Sequence, residues 1–237
     1  TYQEIAYLVM KQFLTDFTEE ELKNCIDKAY DSKFDTEEIA PLVKVDDTYY
    51  MELFHGATIA FKDMALSILP HLMTTSAKKN DVKNEIVILT ATSGDTGSAV
   101  ANGFLGVPGI HVYVLYPKGK VSPIQECQFT TLGQNITALE IEGTFDDCQA
   151  LVKTAFMDKE LNAHMQLTSA NSINVARFLP QAFYYFYAYA QLAKMGKADN
   201  LVFCVPSGNF GNITAGLFGM RMGLPVKRFI AANNRND

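Results

Sequence analysis

Lys62 lies in Leu53-Phe54-His55-Gly56-Ala57-Thr58-Ile59-Ala60-Phe61-Lys62-Asp63, a turn-like segment running into a helix. Ile59, Ala60 and Phe61 precede it, and Met64, Ala65 and Leu66 follow the aspartate. A lysine among apolar neighbours loses hydration, which disfavours the ammonium. A neutral amine attacks carbonyls, so the residue and its setting describe a Schiff-base nucleophile. The competing description is a helix-start lysine whose stem covers apolar surface.

Three further segments join a strand-like run to a helix through polar residues. Val205-Pro206-Ser207-Gly208-Asn209-Phe210-Gly211-Asn212 pairs glycines, which let backbone approach a ligand, with outward helix-start N–H groups. That combination suits a phosphate, or an ordinary turn that uses glycine for its geometry. It has neither the Gly-Lys-Ser/Thr spacing of a nucleotide-binding loop nor a GxGxxG fingerprint. Thr90-Ala91-Thr92-Ser93-Gly94-Asp95-Thr96-Gly97-Ser98 brings hydroxyls and N–H groups together, suited to a carboxylate, while Asp95 can accept from a phenol-like group. Alternatively Ser93, Asp95 and Thr96 cap a helix. In Ser169-Ala170-Asn171-Ser172-Ile173-Asn174-Val175-Ala176-Arg177, Ser172 and Arg177 come close if a helix starts between them, and an arginine fork matches phosphate oxygens. The alternative is a capping Asn171 or Ser172 and a solvated Arg177. Lys118 and Lys120 read as a solvated turn or as further cations at a strand end.

The elements that must carry these segments alternate. Two helices fill the first thirty residues, the second opened by the capping box Thr18-Glu19-Glu20-Glu21. Strands are predicted over 85–90, 110–116, 135–141, 165–168, 201–205 and 226–231. Helices are predicted from Ser98, from Ser122-Pro123-Ile124-Gln125 to a stop at Gly133, from Thr144, over 173–194 with a bend at Pro180, and over 212–222. Strand–helix alternation at this spacing implies parallel sheet, which binds ligands at the carboxyl ends of its strands.

With 237 residues, 48% hydrophobic and 19% charged, the chain is long enough for one large or two small domains and too apolar for disorder. A net charge of −6 excludes a nucleic-acid footprint over the whole surface. The cysteines Cys25, Cys127, Cys148 and Cys204 show no CxxC pairing, and the four histidines never pair at helix-face spacing, so no metal is expected. No stretch approaches the about 20 apolar residues that span a bilayer. A cytoplasmic chain with no membrane and no nucleic-acid partner is the expectation.

A lysine, two anion-competent loops and an arginine segment in one α/β chain suit a single phosphorylated cofactor with an anionic substrate. Pyridoxal 5′-phosphate fits, because its aldehyde takes a lysine and its phosphate takes a cradle. His55–Asp63, Ala91-Thr92-Ser93-Gly94-Asp95-Thr96-Gly97, Ser169–Asn174 and Val205–Gly211 resemble, in order, the motifs of the threonine synthase family. The resemblance implies fold-type II of the pyridoxal-phosphate enzymes (tryptophan synthase β-subunit-like), with two parallel-sheet α/β domains. Residues 1–90 would hold the N-terminal helices and part of the large domain, with the cofactor lysine, 91–190 the small α/β domain and 191–237 the start of the large C-terminal α/β domain, incomplete here. Ala57 and Val175 depart from the family's usual residues. Family chains extend beyond both ends of this one, so a fragment lacking the N-terminal region and the C-terminal half is expected.

The resemblance further implies a carbon–oxygen lyase acting on a phosphate ester, converting O-phospho-L-homoserine and water to L-threonine and phosphate. Lys62 would be the catalytic lysine. Asp95 would face the cofactor's 3′-oxygen, and Gly208, Asn209, Phe210, Gly211 and Asn212 would hold its phosphate. Thr92, Ser93 and Thr96 would bind the substrate carboxylate, and Asn171, Ser172 and Arg177 its phosphate. A monomer or homodimer is implied. The alternatives are a serine/threonine dehydratase-like lyase and a non-catalytic phosphate-ligand binder.

Overall fold

The computed structural model describes residues 1–171, 174–206 and 210–235. In chain order these form α1 (Tyr2–Met10), α2 (Glu19–Ala29), β1 (Leu42–Val45), β2 (Thr48–Met51), α3 (Asp63–Leu66), α4 (Leu69–Lys79), β3 (Ile86–Ala91), α5 (Asp95–Phe104), β4 (Ile110–Pro117), α6 (Pro123–Thr130), β5 (Ile136–Ile141), α7 (Phe145–Met157), α8 (Lys159–His164), β6 (Gln166–Ser169), α9 (Val175–Phe178), α10 (Ala182–Lys194), β7 (Val202–Pro206), α11 (Gly211–Arg221) and β8 (Arg228–Ala232). A 3₁₀ turn at Leu179–Gln181, carrying Pro180, separates α9 from α10. The bend expected in one long helix is therefore a break, because proline has no N–H to continue the ladder.

The chain divides into two compact units, one of residues 57–174 and one of residues 1–56 with 175–237. These cuts differ from 90/91 and 190/191. Residue 90 falls within β3, a central strand of its sheet, and residue 190 within α10.

Residues 57–174 are built on a four-stranded parallel sheet of order β5-β4-β3-β6. Ile86 registers with Ile110 and with Gln166, and Val112 with Ile136. The inner strands are apolar on both faces, as a parallel sheet covered by helices requires. Leu89, Ala91, Tyr113 and Leu115 pack with Cys148 and Val152 of α7. Side chains alternate along a strand, so Val114 points the other way, against Gly97 of α5. The loops after β3 and β6 thus meet at one end of the sheet.

The other unit has an aromatic core. Tyr2 of α1 meets Tyr30 and Tyr187 edge-on, with ring centroids 4.9 and 5.3 Å apart. Tyr185 of α10 stands edge-on to Phe203 of β7 and Phe229 of β8, which pair in parallel. Those aromatic contacts bind α10 to the β7–β8 pair. The hairpin β1–β2 was not expected from the sequence. It is antiparallel and turns at Asp46-Asp47, with Asp46 at φ 50°. An acidic pair between β-branched and aromatic runs is the local cue for it.

Candidate functional site

Lys62 immediately precedes α3, and Asp63 holds its loop in place. The Asp63 carboxylate accepts from the Thr58 N–H at 2.7 Å and the Thr58 hydroxyl at 2.6 Å. Burial pushes the Asp63 carboxyl above its ordinary range, and the Thr58, Ala60 and Ile59 hydrogen bonds pull it back. Between them Ile59 sits at φ 61°, a strained conformation for a β-branched residue. The loop is wound around a buried carboxylate, and Lys62 follows directly from it.

The Lys62 side chain is 18% exposed and donates to Asp95 Oδ2 at 3.2 Å. Its Nζ also lies 5.1 Å from the centre of the Phe61 ring. Apolar neighbours were expected to strip the amine of hydration; the structure adds a carboxylate that offsets the loss. Asp95 opens α5. The helix was expected from Ser98, but it starts three residues earlier because the Ser98 N–H bonds to the Gly94 carbonyl at 3.2 Å.

Thr92 organises that turn from within. It is 1% exposed, and its hydroxyl accepts from the Gly94 and Gly97 N–H groups at 2.9 and 2.8 Å and donates to the Gly94 carbonyl at 3.0 Å. Ser93 is exposed and Thr96 half-buried, so these hydroxyls stand at the surface of the turn. Gln125 of α6 was read only as part of a helix start. It donates through Nε2 to Asp95 Oδ1. No sequence pattern marks that contact, since the two residues are thirty positions apart.

Asn171 joins the carboxyl ends of β3 and β6. Its Oδ1 receives the Thr90 and Ser169 hydroxyls, each at 3.2 Å, and its Nδ2 donates to the Ala91 carbonyl at 3.1 Å. Ser172 lies outside the described residues. Lys118 pairs with Glu142 at 2.8 Å with both side chains in solvent, and Lys120 is exposed.

In the other unit, Arg177 is 3% exposed, not solvated. Burial lowers its guanidinium from the usual 12.5 to about 10. The Gln181 amide donates to the Arg177 carbonyl at 2.7 Å, linking α9 to the following turn. Gly208 and Asn209 lie outside the described residues. Phe210 is exposed and precedes α11, which begins at Gly211. The Asn212 side chain donates to the Pro206 carbonyl at 3.3 Å, and the Tyr185 hydroxyl donates to the Asn212 carbonyl at 3.0 Å. The first turn of α11 is thereby anchored from β7 and α10, and the Asn212 side-chain oxygen accepts from the Ile213 N–H at 2.9 Å.

The sequence model of pyridoxal-phosphate dependent enzymes matches residues 34–236. The chain belongs to the pyridoxal-phosphate dependent enzyme family. Threonine synthase of Haemophilus influenzae is 56% identical over 199 residues, covering 84% of this chain and 46% of that protein. Threonine synthase of Schizosaccharomyces pombe is 43% identical over 247 residues, covering all of this chain and 48% of the other. Among solved structures, threonine synthase from Escherichia coli superposes with a TM-score of 0.87 at 46% identity, over the whole chain and 53% of that structure. PLP-bound threonine synthase from Brucella melitensis gives 0.89 at 40%, over the whole chain and 51% of that structure. The chain spans about half the length of the curated relatives it matches.

The fold is that of the fold-type II pyridoxal-phosphate enzymes, with a parallel sheet in each unit, and the family's cofactor is pyridoxal 5′-phosphate. Tomato threonine deaminase shares this fold at 14% identity, TM-score 0.61. The donor set fits the cofactor. Its aldehyde and 3′-oxygen sit on adjacent ring atoms, so the amine for one and the partner of the other must be neighbours. Lys62 and Asp95 are 3.2 Å apart. Among the described residues, no helix is long and apolar enough to cross a membrane.

Proposed function

We propose that this chain carries the cofactor lysine and the substrate-recognition loops of a threonine synthase, which converts O-phospho-L-homoserine and water to L-threonine and phosphate. The observation that supports the reading is the Lys62–Asp95 pair in a chain 42–56% identical to threonine synthases. Lys62 holds the cofactor covalently and, once released, takes the proton from the substrate α-carbon. When bound, pyridoxal 5′-phosphate supplies an electron sink for the carbanion beside the amino group. Asp95 faces the cofactor's 3′-oxygen.

Gly208, Asn209, Phe210, Gly211 and Asn212 receive the cofactor phosphate through backbone N–H groups at the start of α11. Ser93 and Thr96 meet the substrate carboxylate. Thr92 belongs with them as the brace of their turn, since its hydroxyl is already engaged on three sides. Ser172 and Arg177 bind the leaving phosphate, where a desolvated guanidinium attracts an anion more strongly than a solvated one. Asn171 orients that segment. Residues 1–56 and 175–237 contribute to the larger domain of the whole enzyme, and the protein acts in the cytoplasm as a monomer or homodimer.

The test is borohydride reduction of the holoprotein followed by peptide mass analysis. The pyridoxyl tag is expected on Lys62, and a tag on any other residue defeats the assignment. Supplying O-phospho-L-homoserine and, separately, threonine decides the reaction. Phosphate release supports a synthase; formation of 2-oxobutyrate from threonine alone makes the protein a dehydratase.

A further inference from the structure

Gln125 occupies the third position of α6, behind the N-cap Ser122 and Pro123. In a capping box the side chain at this position reaches back to the backbone N–H of the N-cap residue. Here the cap is half-formed. The Ser122 hydroxyl accepts from the Gln125 N–H at 3.4 Å and donates to Gln125 Oε1 at 3.1 Å. The amide nitrogen of the same side chain turns away from the cap and donates to Asp95 Oδ1. A hydrogen-bond chain therefore runs from Ser122 through Gln125 and Asp95 to the Lys62 amine.

Two more features hold this arrangement. The Ser98 hydroxyl of α5 donates to the Gln125 backbone carbonyl at 3.1 Å, fixing the start of α6 against α5. Gly94 leaves the space, since a Cβ there would overlap the Gln125 side-chain carboxamide. The Asp95 side chain is 45% exposed. An ion pair so open to water is weak and does not by itself keep a carboxylate in one rotamer. A second, directional hydrogen bond on the other oxygen does.

We propose that Gln125 is a positioning residue whose amide fixes the Asp95 carboxylate against the Lys62 amine. The proposal rests on the reading of Lys62 and Asp95 as cofactor ligands. Gln125 touches neither cofactor nor substrate in this scheme and acts only through Asp95. Ser122 acts one step further out, by holding the carboxamide the right way round.

The test compares Gln125→Leu, Asp95→Ala and the double variant in the full-length protein, each checked for folding by circular dichroism. In cofactor-free protein, the acetylation rate of Lys62 by acetic anhydride at pH 8 is read by peptide mass analysis. Gln125→Leu is expected to raise the rate about threefold, because an amine with a wandering carboxylate partner is more often neutral. Asp95→Ala is expected to raise it at least as much, and the double variant no further. In the holoprotein, Gln125→Leu is expected to shift the pH titration of the visible absorption band in the same direction as Asp95→Ala. Gln125→Met is close to glutamine in length, carries no charge and lacks the donor, and it replaces Gln125→Leu if that variant does not fold. A response to Asp95→Ala with none to Gln125→Leu overturns the positioning role and leaves the cofactor reading standing. No response to Asp95→Ala overturns both. An equal Gln125→Leu effect in the Asp95→Ala background shows that Gln125 does not act through Asp95.

Discussion

Asp63 is a buried carboxylate that accepts from the Thr58 backbone and hydroxyl at once. Backbone N–H groups of Ile59 and Ala60 bond to it as well. In Asp63→Asn one oxygen becomes an NH₂ group; the Thr58 hydroxyl can turn to accept from it, but the backbone N–H groups of Thr58, Ile59 and Ala60 are left with a single acceptor oxygen. The expected cost is about 1–3 kcal/mol of stability, read as a fall of about 3–10 °C in Tm. Because the Ile59 strain is held by the same loop, Asp63→Asn is also expected to weaken pyridoxal 5′-phosphate binding. An unchanged Tm would mean that the Thr58–Asp63 contacts contribute nothing to the fold. At this scale Lys62, Asp95, Ser93 and Thr96 were legible as candidates, because each sits in a short local motif. Gln125 was not, since its local surroundings already explain it as a helix start. The burial of Arg177 was not legible either: nothing local separates a buried arginine from a solvated one in a four-residue helix.

At the scale of elements, α3 and α5 set the spacing of the lysine and its partner. They pack tightly at Gly103, where an added Cβ would lie 2.6 Å from the Leu66 carbonyl oxygen. That oxygen belongs to the backbone of α3, so it cannot swing aside as a flexible side chain would. Gly103→Ala is expected to force the helices apart, costing about 1–3 kcal/mol and about 3–10 °C in Tm. It should also loosen the cofactor, since Lys62 starts the helix that moves; spectroscopic titration with pyridoxal 5′-phosphate reads this. Full retention of both Tm and affinity would show that the two helices tolerate separation. The strands and most helices were legible from their periodicity and caps. The early start of α5 was not, because it follows from Thr92 drawing in the Gly94 and Gly97 N–H groups.

At the scale of the whole molecule, His55 introduces a pH dependence in residues 1–56. Its Nδ1 lies 2.5 Å from Asp35 and its Nε2 2.9 Å from Glu52. Burial pulls the imidazole down, but hydrogen bonds and charge from Glu52 and Asp35 outweigh it, and the net direction is up. A raised folded-state value means the stabilisation is fully present below about pH 6.5 and is lost as pH rises through the higher value. Asp35 is well exposed, so solvent screening keeps the effect small. Between pH 6 and 8.5 the Tm of the wild-type protein is expected to fall by about 2 °C more than that of His55→Gln. Parallel profiles would remove His55 from the account.

The sequence alone determined that this is a parallel α/β chain with a lysine at a helix start among apolar neighbours and hydroxyl- and glycine-bearing turns after its strands. Those features are local: a strand's periodicity, a cap or a glycine turn is written within about ten residues, and the motifs keep their order along the chain. Tertiary structure decided which side chains are turned inward and which remain at the surface. It placed Thr92 inside its turn, buried Arg177, and redirected Gln125 from its own helix to Asp95. The placing of Thr92 and Gln125 depends on how α5, α6 and the sheet are arranged in space. A hydrogen bond between residues 95 and 125 leaves no trace in the neighbours of either one.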